Sequence, residues 1–235
     1  MMSITRAGLR AVNRLLLTYT ATRPRPAYCE IPSVCPELER VTAAWPAIRD
    51  EALALAEESD RLPTYQELDR AQSRIAGSTP KRWSVFFLDV FGFKPEKNRS
   101  RCPATCAALE GVPNMLQAFF SILDAGKSIP EHEGPYVGYL RYHLGLVVPD
   151  DHPPTITVNG ETYAWREGDA ILFDDNYPHR VDNQSSQVRI VLIVDIRRPL
   201  PPVADLVNRV VTDVFARWAY AYGIYRKISS GQVAA

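Results

Sequence analysis

From residue 115 onward the chain breaks into short runs of branched and aromatic residues divided by tight turn signals, and that punctuation limits the fold more than any other feature. The runs cover 115–123, 137–148, 155–158, 161–165, 170–173, 179–182 and 187–195. Asn159-Gly160 sits between two alternating runs and predicts a two-residue hairpin, because both residue types tolerate the positive φ such a turn requires. Gly168-Asp169 and the polar stretch 183–186 mark further turns. Many short strands with close turns favour a sandwich or barrel over a parallel α/β sheet. The expected fold class is therefore mainly β with flanking helices (α+β), built as a double-sheet jelly-roll barrel.

Upstream, Trp83 to Phe91 reads as a strand ending at Gly92, and Pro103 to Glu110 reads as a short helix closed by Gly111. Between 36 and 59, Leu38, Val41, Trp45, Ile48, Ala52 and Leu55 recur at helical steps, with Pro46 expected to break or kink the helix. After Pro201-Pro202 a stripe of Val203, Leu206, Val207, Val210, Val211, Val214, Phe215, Trp218 and Tyr222 predicts a helix with a buried face. Packing on the barrel is the expectation for that face, and membrane contact is its other use. Residues 1–29 hold Arg6, Arg10, Arg14, Arg23 and Arg25 and no acid, with Leu9, Val12, Leu16 and Tyr19 on the opposite side of a helix over 3–19. Such a segment suits an anionic surface, a transit peptide or a frayed basic terminus. The reading divides the chain into a basic amphipathic extension (1–29), a catalytic domain (30–200, barrel core about 115–197) and a C-terminal helix and tail (201–235).

Acidic and basic residues balance at 27 each, so the chain lacks the positive field that draws a nucleic acid, and none is expected as a partner. Cys29, Cys35, Cys102 and Cys106 form no Cys-x-x-Cys pair and read as reduced thiols. With no membrane-spanning apolar run, the reading places the protein in the cytoplasm, with a peripheral membrane contact through the extension left open.

Of four histidines, His132, His143 and His179 fall in or beside the strand-rich half, while His152 precedes a Pro-Pro pair and reads as a surface residue. Two imidazoles and a carboxylate on one face of iron are the ligand set of facial-triad oxygenases, with a His-x-Asp or His-x-Glu signature. Here His132-Glu133-Gly134 puts glycine at the carboxylate position. On spacing alone, His132 and His179 are either metal ligands or two ordinary histidines. Arg189 interrupts an apolar strand and needs an anion, which is either a dicarboxylate co-substrate or an internal acid such as Asp195 or Asp174. Arg141 and His143, two apart on one strand, share a sheet face and make a second anion-binding edge.

Two long motifs carry a family resemblance. His132-Glu-Gly-Pro-Tyr-Val-Gly-Tyr-Leu-Arg-Tyr-His-Leu-Gly-Leu-Val-Val-Pro149 and Trp165-Arg-Glu-Gly-Asp-Ala-Ile-Leu-Phe-Asp-Asp-Asn-Tyr-Pro-His179 resemble the aspartyl/asparaginyl β-hydroxylases. Arg189-Ile-Val-Leu-Ile-Val-Asp195 continues the match, and Trp83 with Cys102-Pro103-x-Thr105 extends it upstream, so it covers roughly 80 to 200. The resemblance implies a double-stranded β-helix of cupin type and an iron(II)- and 2-oxoglutarate-dependent dioxygenase that uses O2 to hydroxylate an unactivated C–H bond. It implies two histidine ligands alone, His132 and His179, with glycine as at Gly134 in place of the carboxylate. Ser121, Arg141, His143 and Arg189 are implied as 2-oxoglutarate contacts, and Trp83 as a substrate-pocket residue or a packing residue.

The family's substrates divide into aspartyl or asparaginyl side chains of peptides and acyl chains of lipid A or ornithine lipids. The basic start and the apolar tail lean the reading to the lipid branch, with a peptide or free amino acid as the alternative. A different class of function is a cupin-like module that binds a keto acid or metal without turnover.

Overall fold

Two antiparallel sheets account for the strand-rich half of the chain. The computed structural model describes residues 6–20, 25–77 and 79–231. Its strands are β1 (Tyr28–Cys29), β2 (Trp83–Val90), β3 (Met115–Leu123), β4 (Ile129–His132), β5 (Tyr139–Val147), β6 (Thr155–Val158), β7 (Glu161–Ala164), β8 (Ala170–Phe173), β9 (His179–Asp182) and β10 (Arg189–Arg197). One sheet runs β1-β8-β5-β10-β3-β2 and the other β4-β9-β6-β7. This is the mainly β, double-sheet barrel with flanking helices that the turn pattern predicts. The larger sheet reaches upstream of the strand-rich half to take in β1 and β2.

Within β10, Ile190–Val194 form an unbroken apolar run because the strand lies between β5 and β3 and is buried along its whole length. Ile190, Leu192, Val194 and Ile196 belong to one apolar core with Leu38, Val41, Ile48 and Leu55 of the helices Leu38–Ala43 and Trp45–Ala56. Val191 and Ile193 belong to a second core with Phe119, Phe173, Ile156 and Val181, inside the barrel. Each such side chain contributes roughly 1.5–3 kcal/mol on burial, so a one-residue slip of register would cost both cores at once. Pro46 divides the expected 36–59 helix in two by occupying the first turn of the second half, where its missing N–H is tolerated. Asn159 and Gly160 both carry positive φ, 50° and 85°, as the hairpin between β6 and β7 demands.

The strand β4 is absent from the sequence expectation because Pro130 and the charged residues around it hide a strand signal. Its pairing with β9 creates the site described below.

The N-terminal helix Arg6–Thr20 packs Leu16 against Tyr136, Ala204 and Val211, and its Asn13 bonds Pro135 O and Val137 N. Arg23 and the first five residues lie outside the described residues. The C-terminal helix runs Pro202–Val210, continues as a π-helix over Val211–Ala221 and ends with Tyr222–Ser229. Its expected buried stripe is corrected by the structure: Val203, Leu206, Val210, Val214, Trp218 and Tyr222 are exposed, while Val207 and Phe215 are partly covered and Val211 is buried. The helix docks instead through small and polar residues. Ala204, Asn208, Thr212 and Ala221 are buried, with Asn208 Nδ2 donating to Gly138 O at 2.8 Å and Arg197 donating to Thr212 Oγ1 at 2.9 Å. Those latches fix the rotation of the helix and turn its larger apolar side chains outward. No helix among the described residues is long and apolar enough to cross a membrane.

Candidate active site

Antiparallel pairing of β4 with β9 sets His132 directly opposite His179, and their rings lie 4.1 Å apart between centroids. His132 Nδ1 is 2.8 Å from Pro130 O and His179 Nδ1 is 2.9 Å from Tyr177 O. A carbonyl only accepts, so each Nδ1 carries the proton and each Nε2 keeps its lone pair. Burial and the neighbouring His179 ring push His132 down to about 4, which preserves the neutral, ligating form.

Asp175, four residues before His179, completes this end of the site. Its Oδ1 stands 3.4 Å from His179 Nε2, so a lone pair and a carboxylate oxygen face each other and together favour a cation. Burial works to raise the Asp175 carboxyl, but the Arg141 guanidinium outweighs it and holds the group below the usual carboxylate range. Glycine at 134 is a spatial requirement: a Cβ there would lie 1.8 Å from Asp175 Oδ2, and Gly134 N donates to Asp175 O at 2.8 Å. The room a facial-triad carboxylate would take is filled by Asp175. Among the described residues no three His, Cys, Asp or Glu side chains form a metal cage. The donor set at this end is therefore two imidazoles with one adjacent carboxylate.

Deeper in the barrel lies a cluster of polar groups without partners. Arg189 is 1% exposed, its Nε and Nη2 make no hydrogen bond, and its guanidinium carbon stacks 3.8 Å over the Trp165 ring. Both nitrogens of His143 and Nε1 of Trp165 are likewise unpaired, and the two rings stack at 5.9 Å. Phe173 lies edge-on to both His143 and His179, at 4.9 and 5.7 Å, and so links this cluster to the histidine pair. An unmade buried polar group costs about 1–3 kcal/mol, so five of them gathered around one buried guanidinium mark this cluster as a candidate anion site. Burial alone pushes Arg189 down to about 9, still charged at neutral pH, and burial with the nearby Arg189 charge keeps His143 well below its ordinary value. Ser121, opposite Val191 and on the same inner face, accepts from Trp83 Nε1 at 2.9 Å and keeps its own proton to donate.

The internal-acid alternative for Arg189 does not hold in the structure. Asp174 pairs with Arg25 and Arg198, both at 2.6 Å, and Asp195 pairs with Arg141. Arg141 shares its sheet face with His143, yet its fork is filled: Nε and Nη2 bind Asp195 at 2.7 and 2.8 Å and Nη1 binds Asp175 at 2.7 Å. It thus acts on the mouth of the site through Asp175 instead of offering an open fork. Trp83 packs edge-on to Tyr65 at 4.8 Å and also lines the cavity. His152 is exposed. Sequence reasoning missed Asp175, Trp165 and Tyr139, whose hydroxyl donates to Asp175 Oδ2. The Asp174-Asp175 pair one helical turn's length before His179 was the available signal, but nothing in the sequence tells which of the two faces inward.

A cavity of about 890 Å³ opens over this end. Its floor carries His132, Gly134, Arg141 and Asp175, its helical roof supplies Leu9 from the N-terminal helix and Val211, Phe215 and Tyr220 from the C-terminal helix, and Asp69, Gln72, Arg74, Glu131 and Glu133 line the remaining walls.

Residues 42–199 match the family model described as aspartyl/asparaginyl beta-hydroxylase. The chain belongs to that family. Among its relatives, a Rhizobium tropici protein named ornithine lipid ester-linked acyl 2-hydroxylase is 42% identical over 165 residues, covering 70% of this chain and 58% of that protein. Human aspartyl/asparaginyl beta-hydroxylase is 35% identical over 162 residues, covering 66% of this chain and 20% of that protein. The chain thus spans less than two thirds of the length of either hydroxylase relative. The cupin domain of Schizosaccharomyces pombe Cnp3 overlays with a TM-score of 0.33 at 10% identity, over 51% of this chain and 66% of that one, and the barrel assignment rests on strand pairing instead. The family match contains both histidines, Asp175 and the whole Arg189 cluster, but none of the cavity's helical roof.

Proposed function

We propose that the chain is an iron(II)- and 2-oxoglutarate-dependent hydroxylase acting on an acyl chain of a membrane lipid. The observation that carries the reading is the unpaired, buried Arg189 with His143 and Trp165, set behind two imidazoles whose Nε2 lone pairs are free. A dicarboxylate fits the first feature and a divalent cation the second. Iron, when bound, supplies the oxygen chemistry that hydroxylates an unactivated C–H bond while 2-oxoglutarate becomes succinate and carbon dioxide.

The protein's part is to bind, orient and exclude water. Pro130 O and Tyr177 O hold the two rings in the ligating tautomer. Arg189 would clamp the distal carboxylate of the keto acid, and Ser121 and His143 would add hydrogen bonds on the same wall. Arg141 and Tyr139 hold Asp175 against His179, which fixes negative charge beside the metal position. The apolar side chains of the helical roof would limit water at the reacting carbon.

Two features favour an acyl substrate: the resemblance to the Rhizobium protein named for ornithine-lipid acyl hydroxylation and the apolar cavity roof over the histidine end. The similarity to the human relative keeps a peptide or free amino acid as the second reading. Purified protein supplied with iron(II), ascorbate and 2-oxoglutarate should form succinate; none formed would leave only a binding module. Mass spectrometry of lipid extracts and a peptide panel after incubation should show one added oxygen on a lipid. An added oxygen on peptides alone would move the reading to the second branch.

A further inference from the structure

Seven large apolar side chains are exposed among the described residues, and all seven lie on two helices. Leu15 is on the N-terminal helix, and Val203, Leu206, Val210, Val214, Trp218 and Tyr222 are on the C-terminal one. Six side chains at steps of three or four would spiral around a regular α-helix, since four residues exceed its 3.6-residue turn. The π-helical winding over Val211–Ala221 is wider and makes the same four-residue step fall short of a full turn. All six side chains are exposed, so the mixed winding keeps them on the outward side of the helix. A soluble surface scatters its exposed apolar residues singly, whereas a continuous line marks a surface that is covered in use.

We infer that this line, together with the outer face of the N-terminal helix, is the surface by which the protein lies on an anionic lipid bilayer. The charge around it chooses the occupant. Arg10 and Arg14 are exposed on the N-terminal helix, and Arg226 continues the stripe one step beyond Tyr222. Among the described residues no acid pairs with any of these three. Both acids of the C-terminal helix are neutralised, Asp205 by Arg209 at 2.7 Å and Asp213 by Arg197. Phe93, Trp218, Tyr222 and Tyr225 gather at one end with ring centroids 5.1 to 5.8 Å apart and Arg217 over Phe93, the residue types that favour the boundary between headgroups and acyl chains. An apolar line flanked by unpaired arginines suits a shallow, negatively charged interface better than a protein groove.

The same helix presents its other side to the cavity through Val211, Phe215 and Tyr220. Docking by the outer face would therefore bring the cavity roof to the depth where an acyl chain starts. The inference rests on the acyl-chain reading for its purpose, but its test does not require turnover.

The experiment is vesicle co-sedimentation of the full chain, with phosphatidylcholine alone and with phosphatidylglycerol added. Binding to the anionic vesicles is expected, weakened about ten-fold or more by Leu206→Ser with Trp218→Ser. Arg10→Gln with Arg14→Gln should reduce the preference for anionic vesicles about thirty-fold. Succinate formation in the absence of lipid should be unchanged in both double variants. Wild-type protein that ignores vesicles, or binds them equally well after both pairs of changes, overturns the inference. Self-association that Leu206→Ser removes, without vesicle binding, overturns it in favour of a second copy. A chain that forms succinate but does not bind vesicles leaves the hydroxylase reading standing, and one that binds vesicles without forming succinate does the reverse.

Discussion

Arg141 and Arg189 stand on neighbouring strands of one sheet, face the same barrel interior and live in opposite circumstances. The first is saturated by Asp175 and Asp195, while the second stacks on Trp165 with two of its nitrogens unpaired. The mouth of the site is a self-contained ionic network, and the deeper end, where the fold gives a buried cation no counter-ion, is where the proposed keto acid would bind. A buried arginine therefore carries no functional meaning by its residue type. Its meaning lies in whether the fold has already supplied the counter-ion.

The largest expected effect separates the metal end from everything else. His179→Ala removes one of two imidazoles that no third cage ligand can replace among the described residues, and it should abolish iron binding by calorimetry. Unchanged affinity would place the metal elsewhere. The next two effects set the arginines against each other. Arg141→Met strands Asp175 and Asp195 without their cation and should destabilise the fold by about 3–5 kcal/mol in denaturant titration. Arg189→Met strands nothing and should leave stability the same or slightly higher, because it removes an uncompensated buried charge. Its cost should appear instead in the 2-oxoglutarate requirement, raised about a hundred-fold, the loss of one charge-assisted contact. If both variants lost stability equally, the contrast between a filled and a waiting arginine would fail.

How much of this could be read in the sequence follows the same physical line. Strands buried on both faces were legible, because the runs Phe119-Phe120 of β3 and Ile190–Val194 of β10 are apolar on both sides and Arg189 stands out beside the second. The two histidines were legible as candidates. Their convergence was not, since it depends on β4, whose Pro130 masks its strand character. Asp175 was hidden by its twin Asp174, and only the fold shows that one faces the histidines and the other faces Arg25 and Arg198. The C-terminal stripe misled for a different reason. Helical periodicity reports that an apolar face exists, and it says nothing about which medium covers it. There the deciding residues were Asn208 and Thr212, polar side chains that set the helix rotation and left the stripe outward.

The smallest effect probes the waiting end by acid. His143 is buried against Trp165 with Arg189, Arg141 and His179 as the charges and rings acting on it, and its proton affinity is held well below the ordinary histidine value. In the unfolded chain the same ring titrates near about pH 6.5. A group whose folded value is depressed contributes stability above its unfolded value, and that contribution is lost as the pH falls, because the unfolded state takes up the proton first. The ligand-free protein should therefore lose stability between about pH 7 and pH 5.5, and His143→Gln, which keeps the size and does not titrate, should reduce that slope. Saturating 2-oxoglutarate should reduce it too, since a carboxylate beside His143 and Arg189 offsets the guanidinium charge that disfavours the imidazolium. A slope unmoved by either change would mean that His143 titrates like an exposed ring and is not part of the waiting cluster.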